Sequence, residues 1–137
     1  MLRWRVRVRT RPRDLGYAGL MDSSTAVGAL SALAHEGRLG IFRLLVRAGP
    51  DGMAAGEIAR ATGARPNTLS ANLSILSAAG LTVSRRVGRS VIYSAAYDRM
   101  RELLAFLMED CCAGSPQIMG PLAEVANRAC APGAACR

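Results

Sequence analysis

The chain has 137 residues, a formal net charge of +8, and 18 basic residues that are all arginine. That length suits one domain with a core of its own, and no apolar run reaches the roughly 18 residues that a membrane-spanning helix needs. Four cysteines, two adjacent and two near the tail, do not make the framework of a disulfide-held secreted domain, so a cytoplasmic, reduced protein is expected. The arginine-rich N-terminus is not followed by the apolar stretch and small-residue cleavage site of a signal peptide.

Residues 1–20, "MLRWRVRVRTRPRDLGYAGL", hold six arginines at alternate positions from Arg3 to Arg13 against one acid, Asp14. One reading is a nucleic-acid arm. The preferred one is a basic, disordered extension upstream of a natural start at Met21, so the nucleic-acid argument rests on the other twelve arginines. Residues 23–35 follow Asp22, with Asp22, Ser23 or Ser24 as N-cap, and Val27, Leu30, Leu33 and Ala34 fall at helical spacing. A second helix, about 37–48, carries Leu39, Ile41, Phe42, Leu44 and Leu45 and stops at "AGPDG", a strong breaker. His35, the only histidine, lies between these two helices and reads as structural. It leaves nothing for a histidine-rich metal site or a catalytic pair.

A third, short helix covers 54–62 and ends at Gly63. The fourth opens at Pro66 and closes before Gly80, with Leu69, Leu73 and Leu76 on its buried face. The period then changes. Residues 81–94, "LTVSRRVGRSVIYS", read as two strands joined at Val87-Gly88-Arg89-Ser90. A fifth helix, about 97–112, carries an apolar stripe of Met100, Leu103, Leu104, Leu107, Met108 and Cys111. The tail, 113–137, is rich in small residues, with a short helix around 121–129. The predicted class is mainly α with a β-hairpin wing, a dimeric winged helix-turn-helix whose short turn "TGARP" contains glycine as that motif requires.

Several stretches carry a family resemblance. They are "LAHEGRLGIFRLL", "GEIA" opening the helix-turn-helix, "LSANLSILSAAGL" in the fourth helix and "RRVGRSVIY" in the wing. Residues 29–94 resemble the ArsR family of bacterial metalloregulatory repressors, closely over half the chain and more loosely to residue 112. The resemblance implies a homodimer that sits on operator DNA and leaves it on binding a ligand. No organic cofactor, enzymatic activity or membrane partner is expected.

On a wheel of 100° per residue from Leu69, Asn67, Ala71, Ser74 and Ala78 of the fourth helix point away from the core, and Thr68 and Ser70 flank them. Such side chains suit base edges, an asparagine pairing with adenine and an alanine methyl meeting a thymine methyl. Asn72 falls nearer the core edge, but it aligns with a polar position that the family often uses near DNA. Arg85, Arg86 and Arg89 flank the hairpin turn and suit phosphates or the minor groove. Arg65 precedes the helix, where backbone N–H groups also favour a phosphate. For the dimer, Val27, Leu30 and Ala34 of the first helix and Leu103 and Leu107 of the fifth are the expected interface.

Some family members hold metal with cysteines in the third helix, which has none here. The pair Cys111 and Cys112 resembles the site of another branch, responsive to arsenite or antimonite. That branch often has a third cysteine a few residues on, where this chain has Ile118. Cys130 or Cys136 is then the candidate third ligand, or the pair binds alone and favours methylarsenite. Soft thiolates select soft acceptors, and a rigid vicinal pair fits tetrahedral zinc poorly. Glu109, Asp110 and the negative helix end favour the protonated thiols, unlike reactive redox cysteines. The expected inducer is As(III) or Sb(III). The alternatives are a regulator switched by thiol oxidation and a small thiol oxidoreductase, although the chain lacks the CxxC and the βαβ pattern of the latter.

Overall fold

A computed structural model describes residues 21–109, 120–122, 124 and 125. The order is α1 (Ser23–Leu33), α2 (Glu36–Ala48), β1 (Met53–Ala54), α3 (Ala55–Thr62), α4 (Pro66–Ala78), β2 (Thr82–Val87), β3 (Ser90–Ala95) and α5 (Tyr97–Glu109). The described residues from 120 to 125 are helical. No described helix is long and apolar enough to cross a membrane. The extension 1–20 and all four cysteines lie outside the described residues.

Local chemistry explains the boundaries. Asp22 accepts the Thr25 N–H at 2.7 Å and caps α1. His35 is not part of α1. It sits two residues past Leu33, and its Nδ1 accepts the Gly37 N–H at 3.2 Å, so it caps α2 instead. The structural role expected for the histidine is this cap. At the start of α3, where alanine has no capping oxygen, Glu57 reaches back and accepts the Ala54 N–H at 2.8 Å. That is half of a capping box. Helix α4 ends in a Schellman arrangement: Leu81 N–H donates to the Leu76 carbonyl and Gly80 N–H to the Ser77 carbonyl, with Gly80 at φ +73.

Helix α2 is the hub, packing on α1, α3, α4 and β3. Ile41, Phe42 and Leu45 of α2 meet Ile58 of α3, Leu69, Leu73 and Leu76 of α4, Leu81, Ala95 and Leu103 in one core. Each large aliphatic residue buried there stabilises the fold by about 1.5–3 kcal/mol. The Tyr97 hydroxyl donates to the Val46 carbonyl at 3.2 Å, tying the start of α5 to the last turn of α2.

The sheet has the order β1-β3-β2, antiparallel throughout. The hairpin register runs from Thr82 opposite Ala95 to Val87 opposite Ser90, leaving Gly88 and Arg89 as the turn. Strand β1 was not expected from the sequence. Two residues carry no period, and Met53 and Ala54 become a strand only because β3 offers its second edge. Gly52 at φ +73 makes that approach possible: a Cβ there would lie 2.3 Å from the Tyr93 carbonyl oxygen.

Two residues of the expected dimer interface, Ala34 and Leu103, need correction. Within its own chain α1 buries Ala26, Ala29 and Ala32, whereas Val27 is 61% exposed and Leu30 is exposed too. Ala34 is the C-cap of α1 and not a helical position. On α5, Leu103 belongs to this chain's core, and the exposed leucines are Leu104 and Leu107. The stripe of α5 is wide enough to serve two surfaces, and the inward one claims Leu103.

Candidate nucleic-acid interface

The helix-turn-helix is α3, the turn Gly63-Ala64-Arg65, and α4. Gly63 closes α3 in the left-handed region at φ +67, and its N–H donates to the Ala59 carbonyl. Thr62 Oγ1 donates to the Ile58 carbonyl at 2.8 Å. Pro66 then opens α4, where its missing N–H leaves nothing unmade.

The buried residues of α4 are Leu69, Asn72, Leu73 and Leu76. Asn67, Thr68, Ser70, Ala71, Ser74 and Ala78 are exposed. This is the outward face of small polar and methyl-bearing residues that the wheel gave. Asn72 is not on it. It is 8% exposed, and its amide lies against the first turn of α2 beside Gly37. On the wheel it lies about 40° beyond Leu76, at the edge of the buried stripe. The packing of α4 on α2 covers that edge, and its expected DNA contact is corrected to a packing role between α2 and α4.

The wing is joined to α4 by more than the chain. Ser77 and buried Thr82 share a hydroxyl–hydroxyl hydrogen bond of 2.9 Å, which ties the last turn of α4 to the root of β2. The three wing arginines separate. Arg86 stands opposite Val91, on the face of Thr82, Ser84, Tyr93 and Ala95 that turns toward the core. Arg85 stands opposite Ile92 on the other face, and its Nη2 donates to the Asp51 carbonyl at 2.9 Å. Arg89 occupies the turn, next to Gly88 at φ +60. Arg65, Arg85, Arg86 and Arg89 are all exposed.

Charge is segregated along the chain. Residues 58–97 contain five arginines and no aspartate or glutamate, whereas residues 21–57 and 98–109 contain five arginines and seven acids. The acid-free stretch is the end of α3, the turn, α4 and the whole hairpin. It adds Arg60 of α3, exposed, to the arginines already singled out. The absence of acids was readable in the sequence. Such a surface attracts a polyanion along its length. Two ion pairs lie within α5: Arg99 with Glu102 at 3.0 Å, and Arg101 with Asp98. Among the described residues no group of three or more histidine, cysteine, aspartate or glutamate side chains could hold a metal ion.

Comparison with known proteins agrees with this architecture. A helix-turn-helix domain family matches residues 33–85. The nodulation protein NolR of Rhizobium meliloti is 35% identical over 88 residues, 64% of this chain and 70% of NolR. The homodimeric winged helix-turn-helix DNA-binding domain Mb0332 of Mycobacterium bovis, a possible ArsR-family transcriptional regulator solved in solution as fragment 1–100, is 34% identical. It matches 64% of this chain and 80% of its own, with a TM-score of 0.51. Reduced HlyU from Vibrio cholerae is 26% identical over 66% of this chain and 93% of its own, with a TM-score of 0.51. With the helix-turn-helix, the hairpin wing and these relatives in place, the chain belongs to the ArsR-like winged helix-turn-helix family of transcription regulators.

Proposed function

We propose that the protein is a homodimeric repressor that binds operator DNA through α4 and the wing, and that thiol chemistry at Cys111 and Cys112 releases it. The observation that carries the DNA half is the acid-free stretch of residues 58–97, whose five arginines are exposed and which contains the small polar face of α4. Asn67, Thr68, Ser70, Ala71 and Ser74 meet base edges in the major groove. Arg65, Arg86 and Arg89 contact phosphates, supplying affinity and orientation.

Dimerisation is supported by α1 and α5. These helices pack on each other and leave Val27, Leu30, Leu104 and Leu107 exposed. The matched domain of Mycobacterium bovis is a homodimer. A two-fold pairing through these helices presents two recognition helices to a pseudo-palindromic site.

The proposed trigger is As(III) or Sb(III), including methylarsenite, held by the thiolates of Cys111 and Cys112, with Cys130 or Cys136 as a third ligand. The pair follows α5 by two and three residues. A soft, thiophilic ion suits that donor set. Release requires tighter binding to the free dimer than to the DNA-bound one, and a tenfold difference corresponds to about 1.4 kcal/mol. A second reading, a switch by thiol oxidation, is favoured by the similarity to an HlyU structure recorded in its reduced form.

The deciding experiment titrates operator-bound protein with arsenite, antimonite, methylarsenite, zinc and peroxide in parallel. Release by arsenite but not peroxide, lost in Cys111→Ser and Cys112→Ser variants that still bind DNA, is the expected result. Release by peroxide alone establishes the redox switch instead. Full arsenite release in the double variant removes Cys111 and Cys112 from the mechanism. Loss of the response in Cys130→Ser or Cys136→Ser identifies the third ligand.

A further inference from the structure

Helix α1 turns a stripe of alanines inward. Ala26, Ala29 and Ala32 are its buried residues, and methyl groups interlock shallowly with a neighbouring helix. They set the distance of α1 from the body better than they set its angle. The angle must be held at the helix ends. At the N-terminus Met21 is buried in the core and Asp22 caps the first turn.

At the C-terminus Leu33 packs partly buried against the core, and the polar holding group is Arg38, which comes from α2. Its Nε donates to the Ala32 carbonyl at 2.5 Å and its Nη2 to the Ser31 carbonyl at 3.3 Å. These belong to the last turn of α1, where the helix leaves carbonyls short of partners, the Ser31 carbonyl also accepting the Ala34 N–H at 3.3 Å, and where its dipole favours a cation. Two donors in one planar guanidinium fix a relative orientation, which a single ammonium does not.

Arg38 lies in the first turn of α2, and the recognition helix packs against that same turn. A Cβ on Gly37 would sit 3.3 Å from the His35 ring and 3.4 Å from Asn72 Nδ2. Helices α2 and α4 therefore approach there with no intervening side chain from position 37. The end of α1, the start of α2 and the middle of α4 meet at one corner.

Resting on the reading of α1 as a dimer helix and α4 as the DNA helix, we infer that Arg38 is a positioning residue. It fixes the angle between the dimer helix and the recognition helix, and so the half-site spacing that the dimer accepts. The lever is long enough. The 11 residues of α1 span about 16 Å. A tilt of about 10° moves the far end by about 3 Å, close to the rise of roughly 3.4 Å for one base pair.

The test uses the full chain and a duplex that the wild-type protein selects from a random-sequence pool. The duplex is remade with its half-site spacer one base pair shorter or longer, and as a single half-site. Wild-type protein should lose about tenfold or more on either spacer change, because the second half-site rotates by about 35°. Arg38→Ala should remain dimeric and keep its affinity for the single half-site, while its spacer discrimination falls by about threefold or more. Arg38→Lys, which keeps the charge and stem without the fork, should fall between the two. Gly37→Ala, which presses on the His35 ring and the Asn72 amide with Arg38 in place, should also weaken discrimination. Unchanged discrimination in dimeric Arg38→Ala overturns the inference. If that variant does not fold, unchanged discrimination in Arg38→Lys does so. A wild-type protein that selects no paired half-sites overturns the homodimer reading and this inference with it, so the two failures are distinguishable.

Discussion

Replacing Arg86 by alanine should flatten the salt dependence of DNA binding, and replacing Arg85 should barely do so. The two residues are adjacent but occupy opposite faces of the hairpin. The Arg85 guanidinium donates to the Asp51 carbonyl at 2.9 Å, whereas Arg86 extends from the strand face opposite Val91 near the turn. Each phosphate contact contributes about 0.9 to the slope of log K against log salt, so losing two per dimer lowers the slope by about 1.8. Between about 50 and 200 mM salt, wild-type affinity should therefore fall about twelvefold more than that of Arg86→Ala. For Arg85→Ala the slope should change by less than about 0.5 per dimer. Its effect is on the fold: one solvent-accessible hydrogen bond is lost, worth about 0.5 kcal/mol. That corresponds to a melting shift of about 2–4 °C for a domain of this size. Fluorescence anisotropy of a labelled duplex over a salt series, with circular-dichroism melts of the same variants, measures both effects. Equal flattening by the two substitutions would refute the division of the wing arginines into one that meets DNA and one held by the Asp51 loop.

Three further outcomes follow from the geometry. Gly52→Ala and Gly63→Ala share a left-handed backbone, but only the first drives a Cβ to 2.3 Å from a carbonyl oxygen. Thermal melts should show a loss of about 1–2 kcal/mol for Gly63→Ala and at least about twice that for Gly52→Ala. Asn72→Ala should lower stability by about 1 kcal/mol without altering the ranking of operator variants. Ser70→Ala should shift that ranking at one base pair by about 1 kcal/mol, and a panel of single-site operator variants checks both. Leu30→Asp with Leu104→Asp should raise the dimer dissociation constant by about a hundredfold or more, since each buried leucine contributes about 1.5–3 kcal/mol and counts twice across a two-fold axis. Sedimentation reads this directly, and an undiminished dimer would move the interface off α1 and α5.

Much of the architecture is legible in the chain. The 3.6-residue period of Leu69, Leu73 and Leu76, the break at Gly-Pro-Asp-Gly, Pro66 opening α4 and Gly80 closing it, and the alternation after Leu81 are all local signals. Together they determine the element order and the wing. They also determine the outward face of α4, because a helix that buries one stripe must expose the opposite one. The wheel placed Asn72 near the core edge, and the structure buries it. The family resemblance was the weaker guide at that residue.

What the sequence left open are choices between surfaces. Helix α1 has two stripes, one of alanines and one of Val27 and Leu30, and the period alone does not say which faces this chain's own body. The tertiary structure turns the alanines inward against α2 and α4 and leaves Val27 and Leu30 exposed. Leu103 and Leu107 share one apolar stripe, and only the position of α5 on the body assigns Leu103 to this chain's core. Strand β1, the Arg85 bond to Asp51 across 34 positions, and the Arg38 grip on α1 depend on partners distant in the chain or on another helix. Period and composition record what each residue can bury or donate. Which neighbour receives it is decided when the elements pack, because a contact's energy belongs to the pair and not to either residue.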